Sequence, residues 1–510
     1  VNRLRPFLGP ETVVLLAVFG VCQVLFRERG FYDPGALWHP RVGEIILTDG
    51  FPHTDPFTYT FAGRTWIPQQ WGAEVLMALA HRWSGLDGML VGFSAAVGLL
   101  AAWGFGRVRQ AGMNPLLAGV LAGGFVIAAA FHFYVRPHMA SILLLAWTTA
   151  CLVDYERGVA GPWRVASLIP VFVVWTNLHA GVLCGILSLG FAVAGWGVLF
   201  LFGQESPVRN WRQGWLLIGV SLACLLTPFV NPFGMEMLNT WSRLIGSDIL
   251  KVAVTEHRPL NLANDTDKVV FGAGLMYLFL FLGTLPRRPK VTWLLPLVWL
   301  ALTFSAIRQG PLFCAVAVVV AADLWPHTAW HRLLKKYGDS LIQDPPDPRA
   351  GLSARGLIVP ALAVAAVVGL HATRTRLPVV GTGWARLDPK LVPVPLTAAI
   401  REHARAAGPG ARIYNDANLG GYLIYHLPEL KIFMDDRFEL YPEQWTADYV
   451  DCFWYHPERF DEWADRFGFR LVLLQADPEP TVVHKYVAAR PDRWREVARA
   501  DRAVLYVRQP

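Results

Sequence analysis

Two aspartates in one polar stretch, Asp33 in YDPG and Asp55 in HTDPF, are the first residues in the chain placed to do chemistry. A carboxylate can take a proton from a hydroxyl or help to hold a cation. Further along, His39, Arg41, Arg136, His138, Asn177, His179, Asn231, Glu256, His257, Arg258, Arg308 and Gln309 recur where apolar runs end. Arg136 and Arg308 have the planar fork that donates to phosphate oxygens in pairs. Each residue also has an ordinary explanation. Asp-Pro-Gly and Asp-Pro are common turn chemistry, and an arginine at the end of an apolar run can snorkel to lipid headgroups. His179 can be a hydrogen-bonded structural histidine, and Glu256, His257 and Arg258 can lie on a solvated loop. His39, His53, Asp33 and Asp55 are suitable metal-ligand types, but no compact spacing fixes a geometry.

The elements that must position these groups are apolar. Of 510 residues, 54% are hydrophobic and 17% charged, and the mean hydropathy is +0.35. A soluble domain carries about 25% charged residues. A membrane helix needs ~20 mostly apolar residues, and about eleven stretches qualify: 11–26, 86–106, 115–134, 137–153, 165–178, 181–203, 214–230, 269–285, 291–307, 311–325 and 356–371. The expected fold is therefore an α-helical polytopic membrane protein. Residues 1–371 form its transmembrane part, with a first outer loop at 27–85.

Hinge charge sets the expected orientation, since cytoplasmic loops hold the Lys/Arg excess. Arg3 and Arg5, Arg107 and Arg109, Arg157 and Arg164, Arg209 and Arg212, Arg287, Arg288 and Lys290, and Lys335 and Lys336 fall on one side. The tight turns of the other side hold Arg136 alone and Arg308 alone. This places the N-terminus in the cytoplasm and the first loop and tail outside. The net charge of +7 then reflects basic inner loops facing anionic lipid, and no nucleic-acid motif is present. The N-terminal run lacks a small-x-small cleavage site and reads as a retained helix. Cys22, Cys151, Cys184, Cys224, Cys314 and Cys452 have no metal-ligand spacing and read as buried small hydrophobes.

The tail, 372–510, has a different texture. ARIYND (411–416), LKIFMD (430–435), FRLVLLQ (469–475) and RAVLYVR (502–508) read as strands. Residues 396–408, 456–468 and 480–489 read as helices, so a small extracytoplasmic α/β domain is expected. Asp435-Asp436-Arg437 reads as a turn or internal salt bridge after a strand. Within the first loop, 38–48 and 70–83 read as short amphipathic helices.

The layout YDPGALWHPRVGEII…DGFPHTDPF after a first apolar helix resembles the GT-C superfamily of integral membrane glycosyltransferases. WTNLHAG (175–181), TPFVNPFG (227–234), IRQGPLFCAVA (307–317) and the tail run GGYLIYHLPELKIFMDDRFELY (420–441) extend the resemblance over nearly the whole chain. It implies inverting transfer of a sugar from a polyprenyl-phosphate-linked donor to a glycan, lipid or protein acceptor outside a bacterial cytoplasmic membrane. Asp33 matches the family's first-loop aspartate and is the implied base. Asp55 is implied to orient the acceptor or to help hold a divalent cation; metal dependence stays open. Arg308, Arg136 and His179 are the implied ligands of the donor phosphate. No WWDYG-like run is present, which argues against asparagine as acceptor. Two rival readings are a transporter or flippase for a lipid-linked glycan, and a non-catalytic assembly protein whose tail is a binding module. Against the transporter, the apolar runs are nearly free of charge between their ends.

Overall fold

The computed structural model describes residues 8–250, 254–338, 340–343, 355–476 and 480–509. Arg3 and Arg5 of the basic set lie outside the described residues.

Each of the expected apolar runs falls on helix. The first, α1 (Pro10–Arg29), starts with proline at its first position, where no intrahelical N–H is needed. After α2 (Gly35–Asp49) comes α3 (Trp71–Gln110), then α4 (Pro115–Ala129), capped by the Asn114 side chain accepting from Leu117 N–H at 2.8 Å, and α5 (His138–Glu156). Among the described residues, seven helices are long and apolar enough to cross a membrane: Pro10–Arg29, Trp71–Gln110, Pro115–His132, His138–Glu156, Val182–Leu201, Trp211–Phe229 and Ile307–His327. Val291–Ser305 and Ile358–Ala372 are shorter apolar helices. Leu116, Val120 and Ile127 of α4 point outward, as lipid-facing side chains would.

The 40 residues of α3 are two helices joined at a kink, with Ser84 at φ −152° and Gly85 at φ +60°, ψ −140°. Only glycine adopts that second conformation without strain. The first half of α3 therefore belongs to the polar loop and turns back onto α2. The backbones meet closely there, since a Cβ on Gly43 would lie 2.0 Å from the Glu74 carbonyl oxygen.

The C-terminal part holds a five-stranded sheet in the order β2-β1-β3-β5-β4. β1 (Arg412–Asn415) lies parallel to β2 (Lys431–Ile432) and β3 (Leu471–Gln475), and β5 (Ala503–Arg508) runs antiparallel to β3 and β4 (Trp494–Ala500). β4 and the helices Ala417–His426 and Glu443–Trp454 were not expected from the sequence. The first loop joins this unit as an extra edge. Tyr59 N–H donates to the Ile432 carbonyl and Ile432 N–H to the Phe57 carbonyl, both at 3.1 Å. Leu37, Trp38, Val42 and Trp66 of the loop share one apolar core with the C-terminal unit, whereas the helices have a core of their own. The intervening chain is strapped to the bundle by Asp87, whose two oxygens accept from Gly383 N–H and Ala385 N–H at 2.7 Å each.

Candidate functional site

Asp33 lies between α1 and α2. Its Oδ1 accepts the Gly35 N–H at 2.8 Å, so the turn role foreseen for it is real. Its Oδ2 accepts from Arg136 Nη1 at 2.7 Å, and the side chain is mostly buried. Arg136 comes from the short segment between α4 and α5 and packs flat on Gly35, where a Cβ would meet its Nε at 2.7 Å. Burial works against the Arg136 charge, but Asp33, Asp436 and Glu256 outweigh it and raise its pKa. An arginine so surrounded stays protonated.

Histidines gather beside this pair. His132 and His138 stack with ring centroids 4.5 Å apart, and His138 Nε2 donates to the His132 carbonyl oxygen at 2.7 Å. His132 Nδ1 lies 3.2 Å from Glu256 Oε1. Burial pushes Glu256 upward, but His132, Arg136 and His138 outweigh it and hold the carboxyl well below its ordinary value. His257 hydrogen-bonds Arg308. Burial, then the Arg308 charge, lowers the His257 pKa to about 4. Arg308 makes no ion pair among the described residues.

His179 closes the cluster between the helices Leu168–Leu178 and Val182–Leu201. Its Nδ1 accepts from the Gly181 N–H at 2.9 Å and the Ser141 hydroxyl at 2.8 Å, and Ser141 in turn accepts from Trp175 Nε1 at 2.8 Å. With Nδ1 an acceptor, the proton sits on Nε2. Burial, with Arg308 and Arg136 nearby, lowers its pKa to about 3. His179 thus offers a neutral N–H donor beside two guanidiniums.

Asp55 is placed differently from Asp33. Its side chain is wholly buried. Oδ1 accepts from the Phe57 N–H at 3.1 Å and from Arg437 Nη2 at 2.7 Å; Oδ2 accepts from the Thr58 N–H at 2.9 Å and from the Thr58 hydroxyl. Arg437 also forks onto Asp435, Nε to Oδ1 at 3.0 Å and Nη2 to Oδ2 at 2.6 Å, and lies against the Trp66 and Phe57 rings. Among the described residues no hydrogen bond or ion pair joins Asp55 to Asp33. A buried carboxylate with both oxygens engaged has no vacancy for an acceptor hydroxyl. Its environment suits a fastening that docks the first loop on the C-terminal unit.

The salt bridge expected in Asp435-Asp436-Arg437 is there, but Asp436 stands outside it. Asp436 Oδ1 accepts from Trp38 Nε1 at 2.8 Å, and the side chain stays partly exposed. Burial, then the neighbouring Asp33 charge, raises its pKa to about 8 in spite of Arg136. His39, next to Trp38, hydrogen-bonds Glu74 at 2.9 Å, and both are buried. Burial, with Arg136, His179 and His138, holds His39 well below the usual histidine range.

His53 is exposed and outside the cluster. No group of three or more His, Cys, Asp or Glu able to hold a metal ion occurs among the described residues. The assembled groups instead suit an anion beside a hydroxyl: guanidiniums and imidazole N–H donors for the first, carboxylates for the second.

No family model matches the chain, and no curated protein matches it. Among solved structures it is similar to ArnT from Cupriavidus metallidurans bound to undecaprenyl phosphate, with 15% identity, 97% of each chain covered and a TM-score of 0.49.

Proposed function

We propose that the chain is a membrane glycosyltransferase of the GT-C class. It transfers a sugar from a polyprenyl-phosphate-linked donor to an acceptor hydroxyl outside the membrane. The observation that carries this reading is the gathering of guanidinium, imidazole and carboxylate groups from six separate stretches at one end of an apolar bundle.

The acceptor oxygen attacks the anomeric carbon, the bond from that carbon to the phosphate oxygen breaks, and the phosphate keeps the electron pair. The acceptor proton passes to a carboxylate in the Asp33 cluster. The sugar passes through an oxocarbenium-like state, as in glycoside hydrolysis. Arg136, Arg308 and the His179 N–H stabilise the charge gathering on the departing phosphate. Asp55 positions the loop through Arg437 rather than touching the reactants. The Asp33 end faces outside and the opposite end, where Glu11 of α1 pairs with Arg109, faces the cytoplasm, in line with the basic hinges. A phosphatase reporter fused after Lys290 would then be inactive, and one fused after Tyr506 active.

The test is to reconstitute the full chain in nanodiscs with a panel of polyprenyl-phosphate and polyprenyl-diphosphate sugars and follow donor consumption. At least one donor should be consumed, and Arg136→Gln should consume it ~10²–10³-fold more slowly. Tight donor binding with transport across a sealed vesicle but no consumption would overturn the transferase reading.

A further inference from the structure

The turn that carries Asp33 and the turn that carries Asp436 are brought together by the helix Ala417–His426. Its two adjacent glycines make the approach possible. A Cβ on Gly421 would lie 2.3 Å from the Pro34 carbonyl oxygen, and one on Gly420 2.6 Å from the Asp435 Cβ. Any larger residue would part the two turns. The chain thus places a carboxylate of the C-terminal unit beside the first-loop carboxylate and beside Arg136.

The two carboxylates are not equivalent. Asp33 is held on both oxygens, by an amide and by a guanidinium at 2.7 Å. Both of its oxygens are thus already engaged in fixing the turn and Arg136. Asp436 accepts from a neutral indole N–H and lies near its own backbone N–H, with no ion pair among the described residues. The strong cation of its own turn, Arg437, is taken up by Asp435 and Asp55. The charged groups facing Asp436 are therefore Asp33 across the loop, Arg136 from the segment before α5, and Asp435 beside it.

We propose that Asp436, contributed by the C-terminal unit, is the residue that takes the acceptor proton, while Asp33 acts on Arg136 as a positioning residue. This rests on the transferase reading above and names its base. In the transfer step the acceptor O–H proton moves to the Asp436 carboxylate as the new C–O bond forms, and the pair from the broken bond stays on the phosphate. The C-terminal unit is then part of the active site and selects for acceptors with a free hydroxyl. A base that titrates near working pH is suited to this task, and burial, helped by the Asp33 charge, keeps Asp436 there.

The experiment compares Asp436→Asn and Asp33→Asn in the reconstituted full chain, with donor binding, turnover against pH and an infrared pH titration. Asp436→Asn should lose ~10²–10⁴-fold in turnover with donor affinity unchanged. Wild-type turnover should rise with pH through about 8. Asp33→Asn removes a negative neighbour, so the Asp436 pKa falls and the rising limb moves to lower pH. Wild type should show a protonated-carboxyl band at neutral pH that Asp436→Asn lacks. Retained turnover in Asp436→Asn, or abolished turnover in Asp33→Asn alone, would overturn the assignment. If no donor is consumed by wild type, the transferase reading fails. The infrared band still decides: kept in Asp436→Asn, it removes Asp436 as the protonated group; lost, it keeps the carboxylate pair without that reaction.

Discussion

At the Glu11 end of the bundle cations meet carboxylates directly: Arg109 with Glu11 at 2.6 Å, Arg107 with Asp154 at 2.7 Å, and Lys290 and Arg157 with Asp323 at 3.0 and 3.2 Å. Asp323 also accepts from Trp293 Nε1 at 2.7 Å, and Glu156 accepts from the Val291 and Thr292 N–H groups and from Trp196 Nε1. At the Asp33 end the same residue types are arranged without that closure. Arg136 is pulled by three carboxylates, Arg308 hydrogen-bonds a histidine and makes no ion pair among the described residues, and two imidazoles are buried neutral. Closed pairs at membrane depth fix helices against one another. Open clusters are costly for a fold to keep, and under the proposed function the donor phosphate is what completes this one. The location of charge therefore says less than whether the charge is already answered.

The comparison is broken most directly by removing one guanidinium from each end. Arg136→Gln should lower turnover by ~10²–10³-fold, the scale for losing one donor to a developing anion, with the melting temperature little changed. Arg107→Gln should do the reverse, leaving turnover in place while lowering the melting temperature, because Asp154 is left without its partner. Measuring both quantities on both variants decides it. Equal losses of turnover would erase the distinction between the two ends.

Asp55 sharpens the comparison, since it sits at the functional end but is answered like a residue of the other. Breaking a buried ion pair by removing one partner typically costs ~3–5 kcal/mol. Asp55→Leu leaves the buried Arg437 with Asp435 alone, and should lower stability on that scale. It should also expose the 53–66 hairpin to limited proteolysis. Asp55→Asn, which keeps hydrogen bonding, should lose less. Turnover should fall only in step with loop docking. A variant that stays protease-resistant and fully folded yet inactive would return Asp55 to the reaction itself.

The helices were legible because lipid demands long apolar runs, and even the loop boundary at residue 85 was marked by a glycine that the kink requires. The first, second, third and fifth strands were legible as short β-type runs, although the second is only Lys431–Ile432. β4, WREVARA, was not: it is an edge strand whose outward residues are charged, so no apolar alternation stands out. The candidate site was half legible. Asp33, Arg136, Arg308 and His179 are marked by standing alone at the ends of apolar runs. Asp436 is not, because its partner Trp38 is 398 residues away, and Arg437 is joined to Asp55 across 382. A run of two aspartates and an arginine looks like one salt-bridged turn until the fold sends its middle member elsewhere. The twin glycines at 420–421 were the available signal, since a close approach of backbones needs them.

The smallest effect expected is at Arg308, where the comparison is finest. It stands at the start of the helix Gly310–Leu324, in a tight turn, and hydrogen-bonds His257. Were it a lipid-headgroup ligand, charge alone would suffice and lysine would replace it. As a phosphate ligand it uses the planar fork, which lysine lacks. Arg308→Lys should therefore weaken donor binding several-fold, on the order of the ~1–1.5 kcal/mol that separates one charge-assisted hydrogen bond from two. Arg308→Ala should weaken it further, with melting behaviour little changed because no carboxylate is left unpaired. The measurement is donor affinity for each variant in nanodiscs, at two ionic strengths. Lysine equal to arginine, with both weakened alike by salt, would make Arg308 a headgroup ligand. It would leave Arg136 and His179 as the phosphate partners.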